Sequence, residues 1–444
     1  MPNFLPWKIL HLDLSNPLVA LPADNHLQGY YIVFWQNTIP LGKCQVPADE
    51  LPLSAAQVMQ RAIGAITPMV NHYLAENIEV SSSPLIIEKA LASLVQKIEG
   101  SDRTPQIQDA VAQTSVVICT RDRPTQLLEC LKSLQNLSPA PKEILVIDNA
   151  PTSTATQTLV QQFPDVHYVL EPQPGLSVAR NTGIQNSTGQ FIAFTDDDVN
   201  VHPQWLIRLH RAFVDPETLA VTGLIIPAAL ETEAQVIFEL GQGCLSGEYQ
   251  PQVFGSAFFT TYRRHGMPVW KIGAGANMIF RRKAFEHLGL FDTRLGAGAS
   301  GCSEDSEFWY RVVAAGGNCR YEPTAVVYHH HRQDLARLHH QMHQYMRGHI
   351  TALIVQFFKY YHWGNLYRLL FDLPKHYLGL GLGIVLKGKS PKHRTYWAEV
   401  SGCLSGINYY LRHKNLEAFD FNLVNQSFRP NDNIASHKQS TEII

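Results

Sequence analysis

The stretch Phe191-Ile192-Ala193-Phe194-Thr195-Asp196-Asp197-Asp198 runs four apolar, strand-type residues straight into three consecutive acids. A buried strand ending this way carries its acids to the edge of a sheet, where α/β proteins bind ligands. Adjacent carboxylates there repel one another and lose hydration, and a hard divalent cation such as Mg²⁺ or Mn²⁺ relieves both penalties. Taken alone, the triplet serves equally well as a solvated acidic turn capping a helix near Trp205.

Working outward, strand and helix patterns alternate from about residue 113 to 335. Strands are expected at Ser115 to Cys119, Glu143 to Ile147, His167 to Leu170 and Phe191 to Phe194. Helices are expected at Thr125 to Leu137, Thr154 to Phe163 and Ser177 to Asn186. Leu127, Leu128, Leu131 and Leu134 share one face of the first helix. Such alternation implies crossover connections and a mostly parallel sheet.

The composition fits a folded globular chain: of 444 residues, 45% are apolar and 17% charged. A net charge of −2 offers no global attraction to nucleic acid, and no nucleic-acid partner is expected. The seven cysteines form no Cys-x-x-Cys pair and are odd in number. That pattern argues against a disulfide framework or structural zinc and for a reducing, cytoplasmic compartment. The first 22 residues, broken by Pro2, Pro6, Asp13 and Pro17, do not read as a signal peptide.

Residues 1–112 read as a small α+β accessory region of unassigned role. Gly29 to Trp35 is strand-like, Asn37 to Gly42 reads as a turn into a second strand, and Ala55 to Leu74 and Leu85 to Ile98 have helical spacing. A polar linker is expected at Glu99 to Pro105.

Residues 336–427 read as a helical extension rich in aromatic and basic residues, and 428–444 as a disordered tail. Seven Lys or Arg lie between 359 and 394 against the single acid Asp372. With Tyr360, Tyr361, Trp363, Tyr367 and Phe371 they fit peripheral contact with the inner face of a membrane, and also a helical extension packed on the rest of the chain. Pro374 and the glycines at 379, 381 and 383 predict two short helical segments here. No membrane-spanning helix is expected, the nearest candidate, Tyr377 to Leu386, being too short.

Six segments together resemble the family 2 glycosyltransferases of GT-A fold. They are Ser115 to Pro124 (SVVICTRDRP), Ile144 to Asn149 (ILVIDN), Pro174 to Gly183 (PGLSVARNTG), Phe194 to Asp198 (FTDDD), Gly273 to Arg282 (GAGANMIFRR) and Ser303 to Glu307 (SEDSE), in the family's order. The resemblance covers under half of the chain. It implies a nucleotide-sugar-binding α/β domain with a mixed, mostly parallel sheet. It also implies inverting transfer of a sugar from a nucleoside diphosphate sugar to an acceptor hydroxyl, in polysaccharide, lipid-linked or envelope glycan synthesis.

The resemblance also implies roles. Asp196 and Asp198 match the family's D-x-D acids, Asp198 as the metal ligand and Asp196 facing ribose or a metal-bound water, with Asp197 pointing away. Thr120, Arg121 and Arg123 are placed at the nucleotide. Asp148 is placed at its base, favouring a UDP- or dTDP-sugar over a GDP-sugar, and Arg180 is placed near the donor. Asp305 stands where the general base stands, and Glu304, Gly275 and Asn277 are placed near the sugars. Glu307 belongs to a helix over Ser306 to Ala315. His329, with His331 second, completes the metal site for Mn²⁺ or Mg²⁺. The acceptor is a glycan or a lipid-linked glycan. No Gln-x-x-Arg-Trp follows the acidic pair, which implies transfer of single sugars rather than processive synthesis.

The bland alternatives are surface arginines at 121 and 123, a helix cap or turn at Asp148, a structural salt bridge at Arg180, helix-start acids at 304 and 305 and a surface histidine cluster at 329 to 331. At the level of function, a nucleotidyltransferase is opposed by the lack of glycine in Cys119 to Pro124. A degenerate glycan-binding protein is opposed by the retained acids.

Overall fold

The computed structural model describes residues 4–74, 84–100, 103–242, 247–387 and 394–414. The expected tail at 428–444, Cys244 and part of the linker at 99–105 lie outside these residues. The six described cysteines are free thiols.

Near the N-terminus, β1 (Trp7–Asp13), β2 (Gly29–Gln36) and β3 (Ile39–Pro47) form one sheet in that order, β1 parallel and β3 antiparallel to β2. Strand β1 escaped the sequence reading because Trp7–Asp13 is only partly buried and carries no turn signal. Strand β2 is buried on both faces. Tyr30, Ile32 and Phe34 pack with the helices Ala55–Leu74 and Pro84–Glu99, whereas Tyr31, Val33 and Trp35 join the core of the larger sheet. The period of two in a strand thus fastens the N-terminal unit to the rest of the chain.

The larger sheet has nine strands. They are β4 (Thr114–Thr120), β5 (Glu143–Asn149), β6 (Val166–Glu171), β7 (Phe191–Asp196), β8 (Val199–Val201), β9 (Thr218–Pro227), β10 (Gln252–Phe254), β11 (Asn277–Arg281) and β12 (Asn318–His329). The spatial order is β10-β12-β9-β11-β7-β4-β5-β6, with β8 paired to β12. Strands β4, β5, β6, β7, β9 and β12 run one way, while β8, β10 and β11 run against them. The sheet is therefore mixed and mostly parallel. Val116 and Ile118 pack on one face and Val117 on the other, so both faces are covered and the strands read as continuous apolar runs. The ends of β4, β5 and β7 bring Thr120, Asn149 and Asp196 to one edge.

The C-terminal region is helical. Helix Leu335–Tyr360 packs against Tyr396–His413, where Gly402 and Gly406 allow close approach: a Cβ on Gly402 would lie 2.4 Å from the His343 carbonyl. The expectation of two short segments around Pro374 is corrected. Trp363–Tyr367, a π-helical turn Arg368–Asp372 and Leu373–Lys387 follow one another without a break. The wide π turn just ahead of Pro374 rearranges the carbonyls that its ring would otherwise meet. The run Trp363–Leu386 has 24 residues and is long and apolar enough to cross a membrane, contrary to the expectation of no such helix. Reading only Tyr377 to Leu386 missed the helical turns that precede Pro374.

Candidate active site

Residues from both ends of the larger sheet and from helix Leu335–Tyr360 line a cleft of about 1880 Å³. The acids of the 196–198 turn stand at one end of it. Asp197 does not point away, as expected, but lines the cleft and is buried. Its Oδ2 accepts from Thr120 Oγ1 at 2.7 Å, and its Oδ1 from Arg123 Nη1, also at 2.7 Å. The same Arg123 nitrogen donates to Asp198 Oδ2 at 3.0 Å. Thr120 and Arg123 thus hold the turn, and Asp197 is its internal anchor. Burial pushes the Asp197 carboxyl above its ordinary range, more than Arg123 can offset. Burial also works to raise Asp198, but His329, Arg123 and Arg332 together hold it below. Arg121 lines the cleft and is exposed, its nearest acid being Asp122 at 4.0 Å.

Strand β12 delivers His329 beside this turn, with Nε2 3.5 Å from Asp198 Oδ1. The ring continues to His331, the two Nδ1 atoms being 2.9 Å apart, and His331 Nε2 lies 3.2 Å from Glu239 Oε2. Burial pushes the His329 imidazole down to about 4, against the pull of Asp198. Burial would raise Glu239, but His331, Lys43 and Tyr31 outweigh it and hold the carboxyl low. His330 turns outward to Asn200.

Asp196, at the end of β7, is partly open to the cleft and lies 3.5 Å from Arg180 Nη2. Arg180 sits on helix Leu176–Asn186, whose first turn follows Gly175 at φ +139°, a conformation natural only to glycine. Its Nη1 donates to Glu304 Oε1 at 2.5 Å, and its guanidinium lies over Phe194 and Phe291. Burial pushes the Glu304 carboxyl up to about 7 despite Arg180.

The helix expected from Ser306 starts at Glu304, so Glu304 and Asp305 form its first turn. One helical step separates their directions: Glu304 points inward to Arg180, while Asp305 is half-buried at the cleft. Asp305 Oδ2 accepts from the Gly275 N–H at 2.7 Å and Oδ1 from the Ser306 N–H at 2.6 Å. A Cβ on Gly275 would lie 2.7 Å from Arg180 Nη2 and 3.0 Å from Asp305 Oδ2, so only glycine fits. Glu307 is fully buried against Arg311.

Two expected placements need correction. Asp148 lies under the sheet edge, buried, with Tyr168 Oη donating to its Oδ2 at 3.0 Å, and it does not line the cleft. The next residue along a strand faces the opposite way, so Asn149 lines the cleft instead. Its Oδ1 accepts from Gly175 N at 2.8 Å and its Nδ2 donates to Gln173 O at 2.7 Å, which fixes the turn ahead of Arg180. Asn277 is buried in β11 and fully used: it accepts from Trp205 Nε1 at 2.8 Å and donates to Leu224 O at 3.0 Å and Ala325 O at 2.9 Å. It ties strands together and does not reach the cleft.

Among the described residues, no three His, Cys, Asp or Glu side chains close around one point as a complete metal cage. Asp198 and His329 are a carboxylate oxygen and an imidazole nitrogen facing each other. That partial set is of the donor types that suit Mn²⁺ or Mg²⁺ and would leave further coordination positions open.

The far end of the cleft was not read from the sequence. Arg332, Arg337, His340, Arg347 and His349 line it from the start of and along Leu335–Tyr360, and Arg368, Asp372, His376 and Tyr377 from the helix that follows. Residues four apart on one helix share a face, but 368, 372 and 376 are too mixed in type to stand out as a motif.

The match to a known family spans the first five of the six segments and stops short of Ser303 to Glu307. Residues 115–289 match the family model described as Glycosyl transferase family 2. The succinoglycan biosynthesis protein ExoM of Rhizobium meliloti is 32% identical over 223 residues, 48% of this chain and 64% of its own length. The pre-mycofactocin glycosyltransferase of Mycobacterium tuberculosis is 29% identical over 224 residues, 50% of this chain and 43% of its own. The chain thus spans less than two thirds of these relatives. A solved mannosyltransferase of Pyrobaculum calidifontis, in complex with GDP-Man and Mn²⁺, aligns over 66% of this chain and 87% of its own, with a TM-score of 0.47 and 17% identity. Residues 115–289, which bring the 196–198 turn, Arg180 and Gly275 to the cleft, carry a glycosyl transferase family 2 domain.

Proposed function

We propose that the chain transfers a single sugar from a nucleoside diphosphate sugar to an acceptor hydroxyl, with inversion at the anomeric carbon. The observation that carries this reading is one cleft lined by a half-buried carboxylate, Asp305, and by a carboxylate–imidazole pair, Asp198 and His329.

Asp198 and His329 would hold the divalent cation. Bound there, it would neutralise charge developing on the departing diphosphate. Arg123 and Arg121 lie beside the turn to meet phosphate oxygens, and Asp196 is open to the ribose side. Asp305 takes the acceptor proton as the oxygen attacks. Its two backbone N–H partners fix the carboxylate's orientation. Glu304 and Arg180 form the buried brace beneath it. Asn149 lines the cleft in the position expected of Asp148, so the preference for a pyrimidine donor loses the carboxylate that argued for it.

The test is a screen of UDP-, dTDP- and GDP-sugars with Mn²⁺ or Mg²⁺, read by nucleotide release. Metal-dependent release that is lost in Asp198→Ala supports the reading. Equal nucleotide binding with and without chelator, unchanged in the variant, overturns the metal role.

We further propose that the acceptor is lipid-linked and that the enzyme works on a membrane surface. Trp363, Leu370, Phe371, Leu378, Leu382, Val385 and Leu386 are exposed on the helical run whose Arg368, Asp372 and His376 line the cleft. A helix with one polar stripe on the cleft and the rest bare and apolar suits the bilayer interface better than a crossing, which would bury that stripe in hydrocarbon. The full chain should float with phosphatidylglycerol vesicles and be released by alkaline carbonate. Failure to float removes the membrane, and resistance to carbonate replaces surface seating with a crossing.

A further inference from the structure

A file of buried polar groups runs from the N-terminal sheet to the acids of the cleft. Tyr31 on β2 donates its hydroxyl proton to Glu239 Oε1 at 2.9 Å, and Lys43 Nζ on β3 lies 3.5 Å from the same oxygen. Glu239 sits on a π-helical turn, Ile237–Gln242, with its side chain only 1% exposed. Its other oxygen faces His331 Nε2 at 3.2 Å, His331 Nδ1 faces His329 Nδ1 at 2.9 Å, and His329 Nε2 faces Asp198 Oδ1 at 3.5 Å.

A metal-ligating imidazole must be neutral, and for two neutral rings the donor and acceptor rules leave one arrangement of protons along this file. An ionised carboxylate beside an ammonium can only accept, so the proton between Glu239 and His331 sits on His331 Nε2. With both rings neutral, His331 Nδ1 then carries a lone pair. The proton between the two rings must come from His329 Nδ1. That leaves the lone pair of His329 on Nε2, aimed at a carboxylate oxygen of Asp198. Two acceptors face each other with no hydrogen between them, an arrangement that a cation satisfies and a hydrogen bond does not.

We propose that Glu239, held by Tyr31 and Lys43 of the N-terminal unit, is the positioning residue that sets the His329 tautomer and so makes Nε2 a metal ligand. The region that bears no chemical motif thereby acquires a function in the site. Partners one step beyond a ligand commonly tune affinity by about tenfold to a hundredfold. The inference rests on the metal reading above, but its first test does not need metal.

In the metal-free wild-type protein with ¹⁵N-labelled histidine, His329 should show a protonated Nδ1 and a bare Nε2. A proton on Nε2 overturns the proposal whether or not the protein binds metal. The second test is Glu239→Gln. Tyr31 still donates to the amide oxygen, so the amide NH₂ turns to His331 and reverses every donor in the file, placing a proton on His329 Nε2. Mn²⁺ affinity, read by electron paramagnetic resonance, should fall at least tenfold while circular dichroism stays that of the wild type. A folded variant binding Mn²⁺ within twofold of wild type overturns the proposal. If Glu239→Gln does not fold, the wild-type tautomer alone decides the proposal. If wild type binds no Mn²⁺, the metal reading fails and the tautomer alone decides the role of Glu239.

Discussion

The Gly275 N–H donates to Asp305 Oδ2 at 2.7 Å, so a loop glycine and a helix-start acid form one unit. The bond fixes the carboxylate at the cleft beside Arg180, and it requires backbone where any side chain would intrude.

Asp305→Asn should lower turnover by roughly a hundredfold to ten-thousandfold, the usual scale for a lost general base. The amide oxygen can still accept from Gly275 and only the bond from the neighbouring Ser306 N–H is lost, so the fold and nucleotide affinity should hold. Steady-state transfer assays beside calorimetric titration of the nucleotide check this. Near-wild-type turnover would remove Asp305 from the base role.

Gly275→Ala should act on the same unit by crowding. The new methyl would meet Arg180 Nη2 at 2.7 Å, and Arg180 cannot retreat because Glu304 holds it and it is buried. Turnover should fall at least tenfold, with thermal stability reduced by about 1–3 kcal/mol for overpacking. A transfer assay and a melt on the same preparation check both.

Gly64→Ala should do the reverse. Gly64 lies on the exposed side of helix Ala55–Leu74, and nothing lies within 4 Å of where a Cβ would be. Alanine should stabilise the protein by about 0.5–1 kcal/mol through helix propensity alone. Denaturant midpoints check it, and activity should not move.

Acid should destabilise the protein through His210. Burial, with Arg281 adding to it, pushes this imidazole down to about 3. Thr114 gives its hydroxyl proton to the Ala110 carbonyl, so His210 Nε2–H donates to Thr114 Oγ1 at 2.7 Å, and Nδ1 is left buried without a partner. The folded pKa is depressed, so the neutral ring's contribution is fully present above its unfolded pKa of about 6.5. It is lost as pH falls from there toward 3, by roughly 1.4 kcal/mol per unit. His202, lowered by burial to about 4, acts in the same direction. Chemical denaturation from pH 7 to 4 should show falling stability, and His210→Gln should remove about one proton from the slope. A wild-type stability that is flat over this range would refute the assignment.

The sheet was legible in the sequence because it is covered on both faces: β4, β5 and β7 are unbroken apolar runs ending in polar residues. Residues at their ends were assigned to the cleft by position, and the alternation of a strand decides which succeed. Asp148 and Asn149 are neighbours on opposite faces, and only the packing of Tyr168 shows which is hidden. Asn277 has the look of a sugar-binding amide, but its three hydrogen bonds are to groups far away in the chain. Glu239 and Tyr31 carried no local signal, since they meet only when the N-terminal sheet docks against the turn Ile237–Gln242. The helix around Pro374 was misread because a π turn, invisible to a 3.6-residue periodicity, accommodates the proline.

Strand β2 has no solvent face. Its odd-numbered residues, Tyr31, Val33 and Trp35, complete the hydrophobic interior of the larger sheet, and its even-numbered residues complete that of the N-terminal helices. The polar stretch near residue 100, which looks from composition like a place to cut, is therefore a poor seam. Severing the chain there would strip Tyr31, Val33 and Trp35 from the remaining piece and leave a greasy hollow. A shortened protein starting near residue 113 should be sticky and poorly soluble, and swapping this N-terminal unit for that of a relative would require the matching wall to travel with it.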